Sequence, residues 1–114
     1  METQLEGMAM YTIGLMLRLR PGAYAGYKQA HDDLWPELAH GMEVNQVSMA
    51  IYRIDEDRLF VFAAAPSATH WEASRQDPVL DRWNQSMTRF LETDSHGDIA
   101  FTVLDKAFGF GELR

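Results

Sequence analysis

The sequence predicts a single α+β domain in which an antiparallel sheet carries its helices on one face. Apolar residues recur every second position in some segments and every third or fourth in others, so strands and helices alternate along the chain. The chain has 114 residues, 46% of them hydrophobic and 24% charged, which suits one packed core. We divide it into a flexible tail over 1–8, one domain over 9–110 and a C-terminal tail over 111–114.

The first strand and the first helical region follow from this change of period. Alternate positions from Ala9 to Leu19 are apolar, which predicts a half-buried strand. After Pro21-Gly22, apolar residues from Tyr24 to Met42 recur at three- and four-residue spacing, as on one helix face. Pro36 disfavours helical geometry at the residue before it. We therefore expect two helices separated by a kink between 31 and 36, with Gly41 closing the second.

The second half of the chain repeats the alternation of strands and helices. Two β-prone runs, Val44 to Ile54 and Arg58 to Ala65, predict a hairpin. Ser67 can cap a short helix, and Asp77-Pro78 is a typical helix start, with a capping carboxylate before a proline. A last strand is predicted from Ile99 to Phe110.

The resulting order, β-α-β-β-α-β, is that of a ferredoxin-like α+β domain. Its helices cover one face of the sheet, so the other face needs a partner or forms a cleft. Bulky residues occupy both faces of the predicted strands. We therefore expect a homodimer.

Charge and composition exclude several classes of function. Ten basic against 17 acidic residues give a net charge of −7, which disfavours nucleic acid and anionic membrane surfaces. The absence of cysteine excludes disulfides and thiol catalysis. No apolar run approaches the ~20 residues of a membrane span, and the N-terminus lacks the pattern of a signal peptide. We expect a cytoplasmic protein without membrane or nucleic-acid partners.

The densest group of reactive side chains lies around His31. Tyr27 and His31 are four residues apart and share one helix face. Histidine titrates near neutrality, so it can both donate and accept a proton. The alternative is that both residues only pack in the core. Asp32 and Asp33 follow His31 directly and point off its face, so we expect no metal site.

Trp83-Asn84 suggests a carbohydrate site. An indole offers a flat apolar surface for the C–H face of a sugar, while the neighbouring amide can hydrogen-bond hydroxyl groups. Trp83 also falls on the apolar face of the helix predicted to begin at Asp77-Pro78. The alternative is therefore that Trp83 packs in the core. Neither reading is excluded by the sequence pattern alone.

Five short segments occur together in a characteristic order: Tyr27-x-x-x-His31-x-x-Leu34-Trp35-Pro36-Glu37-Leu38, Ala50-Ile51-Tyr52, Leu59-Phe60, Trp71 and Arg82-Trp83. They resemble the L-rhamnose mutarotase family from about Tyr11 to Phe110. That resemblance implies a dimeric ferredoxin-like α/β barrel and a cofactor-free isomerase (a 1-epimerase). Its substrate would be a monosaccharide, a 6-deoxy-L-hexose and foremost L-rhamnose, whose α and β anomers exchange by acid/base ring opening.

The resemblance also implies roles for particular residues. His31 matches the acid/base histidine of the family and Tyr27 its substrate-contacting tyrosine; a second proton-transfer group could be Tyr27 or a carboxylate in the pocket. Two positions expected to line the pocket depart from the family: Met49 replaces a tyrosine, and Asn84, after Trp83, replaces a second tryptophan. Because a site built around particular hydroxyls rejects sugars lacking them, these changes are expected to affect sugar preference.

Other activities compatible with the sequence are L-fucose mutarotation, a cofactor-free monooxygenase of the same barrel type, and sugar binding without catalysis. A monooxygenase would bind a flat apolar ligand and consume oxygen, for which the segment around Tyr27 and His31 offers no support. A binding protein would hold the sugar without accelerating anomer exchange.

Overall fold

A computed structural model describes residues 9–114 as a four-stranded antiparallel sheet with four helices. The tail expected over 1–8 lies outside the described residues. The strands are β1 (Tyr11–Arg18), β2 (Ser48–Arg53), β3 (Arg58–Ala65) and β4 (Phe101–Leu104). The helices are α1 (Tyr24–Asp32), α2 (Pro36–Val44), α3 (Ala68–Arg75) and α4 (Pro78–Met87), followed by a 3-10 turn at Gly111–Leu113. The strand order β2-β3-β1-β4 confirms the ferredoxin-like α+β prediction.

The register of the central strands separates the two faces of the sheet. β1 and β3 pair along their full length, with Tyr11 opposite Ala65 and Arg18 opposite Arg58. Alternate residues of a strand point to opposite faces. Leu59 and Val61 accordingly lie buried beneath the helices, whereas Phe60 between them points to the other face and is only partly buried.

The main core lies between the sheet and the helices. It joins residues of α1, α2 and α4 to the sheet and its flanking loops: Leu19, Tyr27, Leu38, Leu59, Val79, Leu80, Trp83, Met87 and Leu91. Each large apolar side chain of this kind stabilises the fold by about 1.5–3 kcal/mol through burial. Because α1 and α4 both pack on this core, their facing side chains meet above β2 and β3.

The break between α1 and α2 confirms the expected effect of Pro36. α1 ends at Asp32, and Trp35 is extended, with φ −61° and ψ 129°. Pro36 then takes the first position of α2, where its missing N–H costs no hydrogen bond. The break directs His31 from the last turn of α1 into the space between the helices and the sheet.

The sequence predicted that Gly41 closes α2, and this prediction is wrong. The helix continues to Val44, so the second strand begins later than predicted, at Ser48. A Cβ atom at position 41 would lie 2.5 Å from Oδ2 of Asp77. The glycine therefore permits close approach of the loop before α4, and its packing role outweighs its tendency to end helices.

The two predicted helix caps are confirmed. Ser67 Oγ accepts a hydrogen bond from the backbone N–H of His70 at 3.2 Å at the start of α3. Asp77 Oδ1 accepts from the N–H of Val79 at 3.1 Å at the start of α4. These caps satisfy donors that a helix N-terminus leaves unpaired. α4 then presents Trp83 to the core.

The last strand is shorter than the predicted run from Ile99 to Phe110. Within the described part of the chain, only Phe101–Leu104 pair, opposite Gly14–Leu17 of β1, and no strand of residues 9–114 lies on the outer side of β4. Beyond it, Phe108 and Phe110 are 82% and 83% exposed, so no burial holds them against the sheet. The C-terminal residues return to the sheet, where the N–H of Met10 donates to the carbonyl oxygen of Glu112 at 2.6 Å.

Candidate active site

The site predicted from the sequence is a cavity of about 450 Å³ between the inner face of the sheet and helices α1, α2 and α4. All five predicted residues line it: Tyr27, His31, Met49, Trp83 and Asn84. They come from α1, β2 and α4, elements that are distant in sequence and meet only in the folded domain. The volume lies in the usual range for small-molecule sites.

The hydrogen bond made by His31 determines which of its ring nitrogens is a base. Its Nδ1 lies 2.9 Å from the backbone carbonyl oxygen of Tyr27, one turn earlier in α1. A carbonyl oxygen only accepts hydrogen bonds, so Nδ1 must carry the proton. The neutral ring therefore has its lone pair on Nε2, which has no partner among residues 9–114.

The surroundings of His31 favour this neutral form. Its half-buried ring lies 4.2 Å from the Tyr27 ring, centroid to centroid, and meets the Trp83 ring edge-on at 5.1 Å. Burial lowers the His31 pKa below its usual value, while the hydrogen bond to the Tyr27 carbonyl and the negative charge of Asp32 oppose that shift. At neutral pH the imidazole is therefore uncharged and able to accept a proton.

The carboxylates that follow His31 are engaged elsewhere. Asp32 pairs with Lys28 at 2.9 Å, and Asp33 accepts a hydrogen bond from the Gln29 amide at 2.7 Å. No carboxylate of the described part of the chain lines the cavity, so the alternative of a carboxylate as second proton-transfer group finds no candidate there. Residues 9–114 also contain no group of three or more side chains arranged to hold a metal ion.

Tyr27 contributes a protonated hydroxyl group to the cavity. The residue is only 5% exposed, and burial raises the pKa of its phenol far above the ordinary range. No residue of 9–114 hydrogen-bonds this hydroxyl, yet every fully buried polar side-chain atom of those residues has a partner. The hydroxyl must therefore keep access to the cavity, where it can donate a hydrogen bond but cannot act as a base near pH 7.

The cavity wall combines apolar and polar side chains, those of Trp83, Asn84 and Met49. Trp83 is 7% exposed and is supported from behind by Trp35, whose ring meets it edge-on at 5.2 Å. Asn84, the next residue of α4, is exposed and provides an amide at the cavity wall. Met49 lies on β2 and is 38% exposed. A flat indole, an amide and a thioether therefore border the same space.

Three basic residues and Tyr24 also line the cavity and were missed from the sequence. Tyr24 and Lys28 share the α1 face of Tyr27 and His31, and the three- and four-residue spacing could have revealed them. Arg53 follows Met49 at an even spacing on β2, which places both on one face. Arg75 ends α3, and no sequence pattern relates it to the cavity.

The chain is similar to known sugar isomerases in sequence. The family model described as L-rhamnose mutarotase matches residues 12–109. An L-rhamnose mutarotase of Bacillus subtilis is 32% identical over 74 residues, covering 63% of this chain and 71% of the relative. Another from Burkholderia orbicola is 29% identical over 101 residues, covering 87% of this chain and 97% of the relative.

Solved structures share the fold. A structure of L-rhamnose mutarotase from Formosa agariphila superposes with a TM-score of 0.73 at 22% identity, covering 88% of this chain and 98% of that one. A dimeric ferredoxin-like protein from an uncultured marine organism gives a TM-score of 0.63 at 11% identity, covering 95% and 98%. At these identities the likeness concerns the backbone alone.

Proposed function

The chain belongs to the L-rhamnose mutarotase family, and we propose on that basis that it interconverts the α and β anomers of L-rhamnose in this cavity. It is then an isomerase, a 1-epimerase. The observation that carries the proposal is the bond between Nδ1 of His31 and the Tyr27 carbonyl oxygen, at 2.9 Å, which leaves Nε2 unprotonated. Its relatives are named for L-rhamnose, which favours that sugar over L-fucose.

Ring opening needs one proton to move from the anomeric hydroxyl to the ring oxygen. Neutral His31 accepts the O1 proton at Nε2 while the C1–O5 bond breaks, O1 becomes the aldehyde oxygen, and O5 receives a proton. Because O1 and O5 are both bonded to C1, the imidazolium formed in this way can return its proton to O5. Rotation about C1–C2 and the reverse sequence on the other face of the aldehyde then give the second anomer. A group with a pKa near the working pH suits both directions.

The other cavity residues bind and orient the sugar in this scheme. The hydroxyl of Tyr27 donates a hydrogen bond to the sugar, since burial keeps it protonated. The Trp83 indole faces the apolar side of the pyranose ring, and the Asn84 amide bonds a hydroxyl group. Met49 offers only apolar contact. The positions of Met49 and Asn84 at the cavity wall support a role in choosing among sugars.

We further propose that the protein is a homodimer whose two sheets face each other. The face of the sheet away from the helices carries Tyr52, Phe60 and Met16 in register across three strands. Tyr52 stacks on Phe60 at 6.4 Å between ring centroids and remains 62% exposed. An apolar sheet face of this kind favours coverage by a second protein surface. The solved protein of this fold from an uncultured marine organism is a dimeric ferredoxin-like protein.

No helix within residues 9–114 is long and apolar enough to cross a membrane. The cytoplasmic location stays a prediction, as does the absence of nucleic-acid partners.

Proton NMR saturation transfer between anomers tests the proposed activity directly. L-rhamnose, L-fucose and D-glucose are compared with and without protein, and His31→Ala serves as the control. Faster exchange of L-rhamnose than of the other two sugars supports the proposal. Exchange of L-fucose alone favours that sugar, binding without exchange favours a sugar-binding protein, and oxygen consumption without sugar exchange favours a monooxygenase.

A further inference from the structure

The cavity has a charge opposite to that of the whole chain. The chain carries a net charge of −7, yet the cavity wall contains the basic side chains of Lys28, Arg53 and Arg75 and, among residues 9–114, no carboxylate. A neutral 6-deoxyhexose needs hydrogen-bonding groups but no excess of positive charge. Such a concentration of basic side chains is typical of a site that binds an anionic group.

Lys28 already has a partner. Its ammonium group lies 2.9 Å from a carboxylate oxygen of Asp32 on the same helix, so its charge is largely offset. Arg53 differs, because its Nε and one terminal nitrogen donate only to backbone carbonyls, those of Asp55 at 3.1 Å and Glu56 at 3.4 Å. Its guanidinium carbon also lies 3.8 Å from the centroid of the Tyr24 ring. None of these contacts neutralises the charge of Arg53.

Arg75 is the least compensated of the three. It is half-buried, its guanidinium carbon lies 4.2 Å from the centroid of the Trp71 ring, and its Nε reaches Ser74 Oγ at 3.5 Å. No carboxylate of the described chain lies within ion-pair distance of it, and Glu72 acts on it only through its electric field. Partial burial of a charge without a counter-charge is costly, unless a ligand provides one.

Resting on the proposed mutarotation of L-rhamnose, we propose that the same cavity also takes sugars that carry an oxyanion, which Arg75 binds inside the cavity and Arg53 attracts at its margin. A planar guanidinium binds sulfate, phosphate or carboxylate oxygens through two parallel hydrogen bonds. The anionic group must sit on a carbon other than C1, because ring opening requires a free anomeric hydroxyl. The ligand class is thus a hexose bearing a sulfate ester, a phosphate ester or a carboxylate.

Anomer exchange of matched neutral and anionic sugars tests this. Saturation transfer gives kcat/KM for L-rhamnose, for L-rhamnose with a sulfate ester at O3, and for L-mannuronate, in which a carboxylate replaces the C6 methyl group. We expect at least one anionic sugar to exceed L-rhamnose by about 10- to 100-fold, the value of a charge-assisted hydrogen bond. The more favoured of the two identifies the kind of oxyanion. The advantage should shrink as salt is added.

Variants of single arginines separate a specific contact from general attraction. Arg75→Met should reduce the ratio of anionic to neutral kcat/KM toward 1, and Arg75→Lys should retain part of it. Arg89→Met removes the same charge from an exposed position outside the cavity and should leave the ratio unchanged. If Arg75→Met does not fold, Arg53→Met at the exposed margin should still lower the ratio.

The outcomes distinguish this inference from the proposed function. Catalysed exchange of L-rhamnose, with neither anionic sugar faster, would overturn the oxyanion inference and leave the mutarotase proposal intact. An equal loss of the ratio in Arg75→Met and Arg89→Met would also overturn it, because attraction would then be nonspecific. No exchange of any of the three sugars would overturn both.

Discussion

Replacing His31 by alanine should abolish catalysed anomer exchange while the domain stays folded. The ring of His31 contacts those of Tyr27 and Trp83, and Nδ1 makes one hydrogen bond. Aromatic contacts contribute about 0.5–1.5 kcal/mol each and a net hydrogen bond about 1 kcal/mol, so the substitution should cost about 2–4 kcal/mol. That is less than the ~5–15 kcal/mol by which domains are typically stable.

The expected loss of activity is larger than the loss of stability. A positioned general acid/base contributes typically 10²- to 10⁴-fold to a rate, so exchange in His31→Ala should fall by about that factor. Saturation transfer measures the exchange, and circular dichroism with urea unfolding measures the fold. His40→Ala is the matched control, because His40 is an exposed histidine of α2 outside the cavity.

Two results would contradict a proton-transfer role for His31. Exchange in His31→Ala within about tenfold of the unmodified protein would show that His31 is not the proton-transfer group, because its removal should cost at least 10²-fold. An unfolded His31→Ala protein beside a normal His40→Ala protein would instead indicate that His31 serves mainly in packing. In that case His31→Gln, which keeps a polar side chain of similar length but cannot titrate, would still report on catalysis.

Three further predictions concern pH, a helix cap and the dimer. Burial lowers the His31 pKa, so exchange should hold at pH 7 and fall in acid with a midpoint below about 6.5, and a higher midpoint would contradict the neutral-base scheme. The free energy of unfolding should fall over the same acidic window, because the unfolded chain binds the proton more tightly, and urea titrations of the His31→Gln variant should lack that component. Asp77→Ala removes the α4 cap and should lower the free energy of unfolding, measured with urea, by about 0.5–2 kcal/mol. Ser67→Ala removes the α3 cap and should lower it by a similar amount. Tyr52→Glu should convert the dimer to a monomer in sedimentation, whereas Val44→Glu, on an equally exposed apolar residue of α2, should not; equal effects would argue against the sheet face as the interface.

Local features were predictable because their causes are local. Pro36 keeps Trp35 out of helical geometry through a clash with the backbone of that preceding residue, and Asp77 caps α4 through a bond to a residue two positions later. The shared helix face of Tyr27 and His31 follows from the helical repeat alone. Trp83 and Asn84 were suggested as a sugar site by their own chemistry, and the family resemblance added Met49 and placed all three in one pocket with His31, a connection that local pattern could not make.

Features that depend on distant segments were not predictable. Gly41 lies inside α2, where the lack of a side chain leaves room for the Asp77 carboxylate at the start of α4. The final strand stops at Leu104, and among residues 9–114 it lies at the edge of the sheet, where pairing on one side alone extends over four residues. A local sequence pattern reports the conformational preferences of neighbouring residues. It does not show which distant segment will pack against them in the folded domain.

Sequence patterns alone predicted the order of elements, the fold class, the helix break and the proton-transfer candidate. The neutral state of His31 depends on the tertiary structure, which buries the ring against Trp83 of another helix and so lowers the His31 pKa. The tertiary structure also decided that Arg75 at the end of α3 lies in the wall of a cavity formed by other elements. Burial and the electrostatic surroundings of a side chain depend on the three-dimensional fold, whereas periodicity, capping and the His31 tautomer depend on residues within a turn or two along the chain.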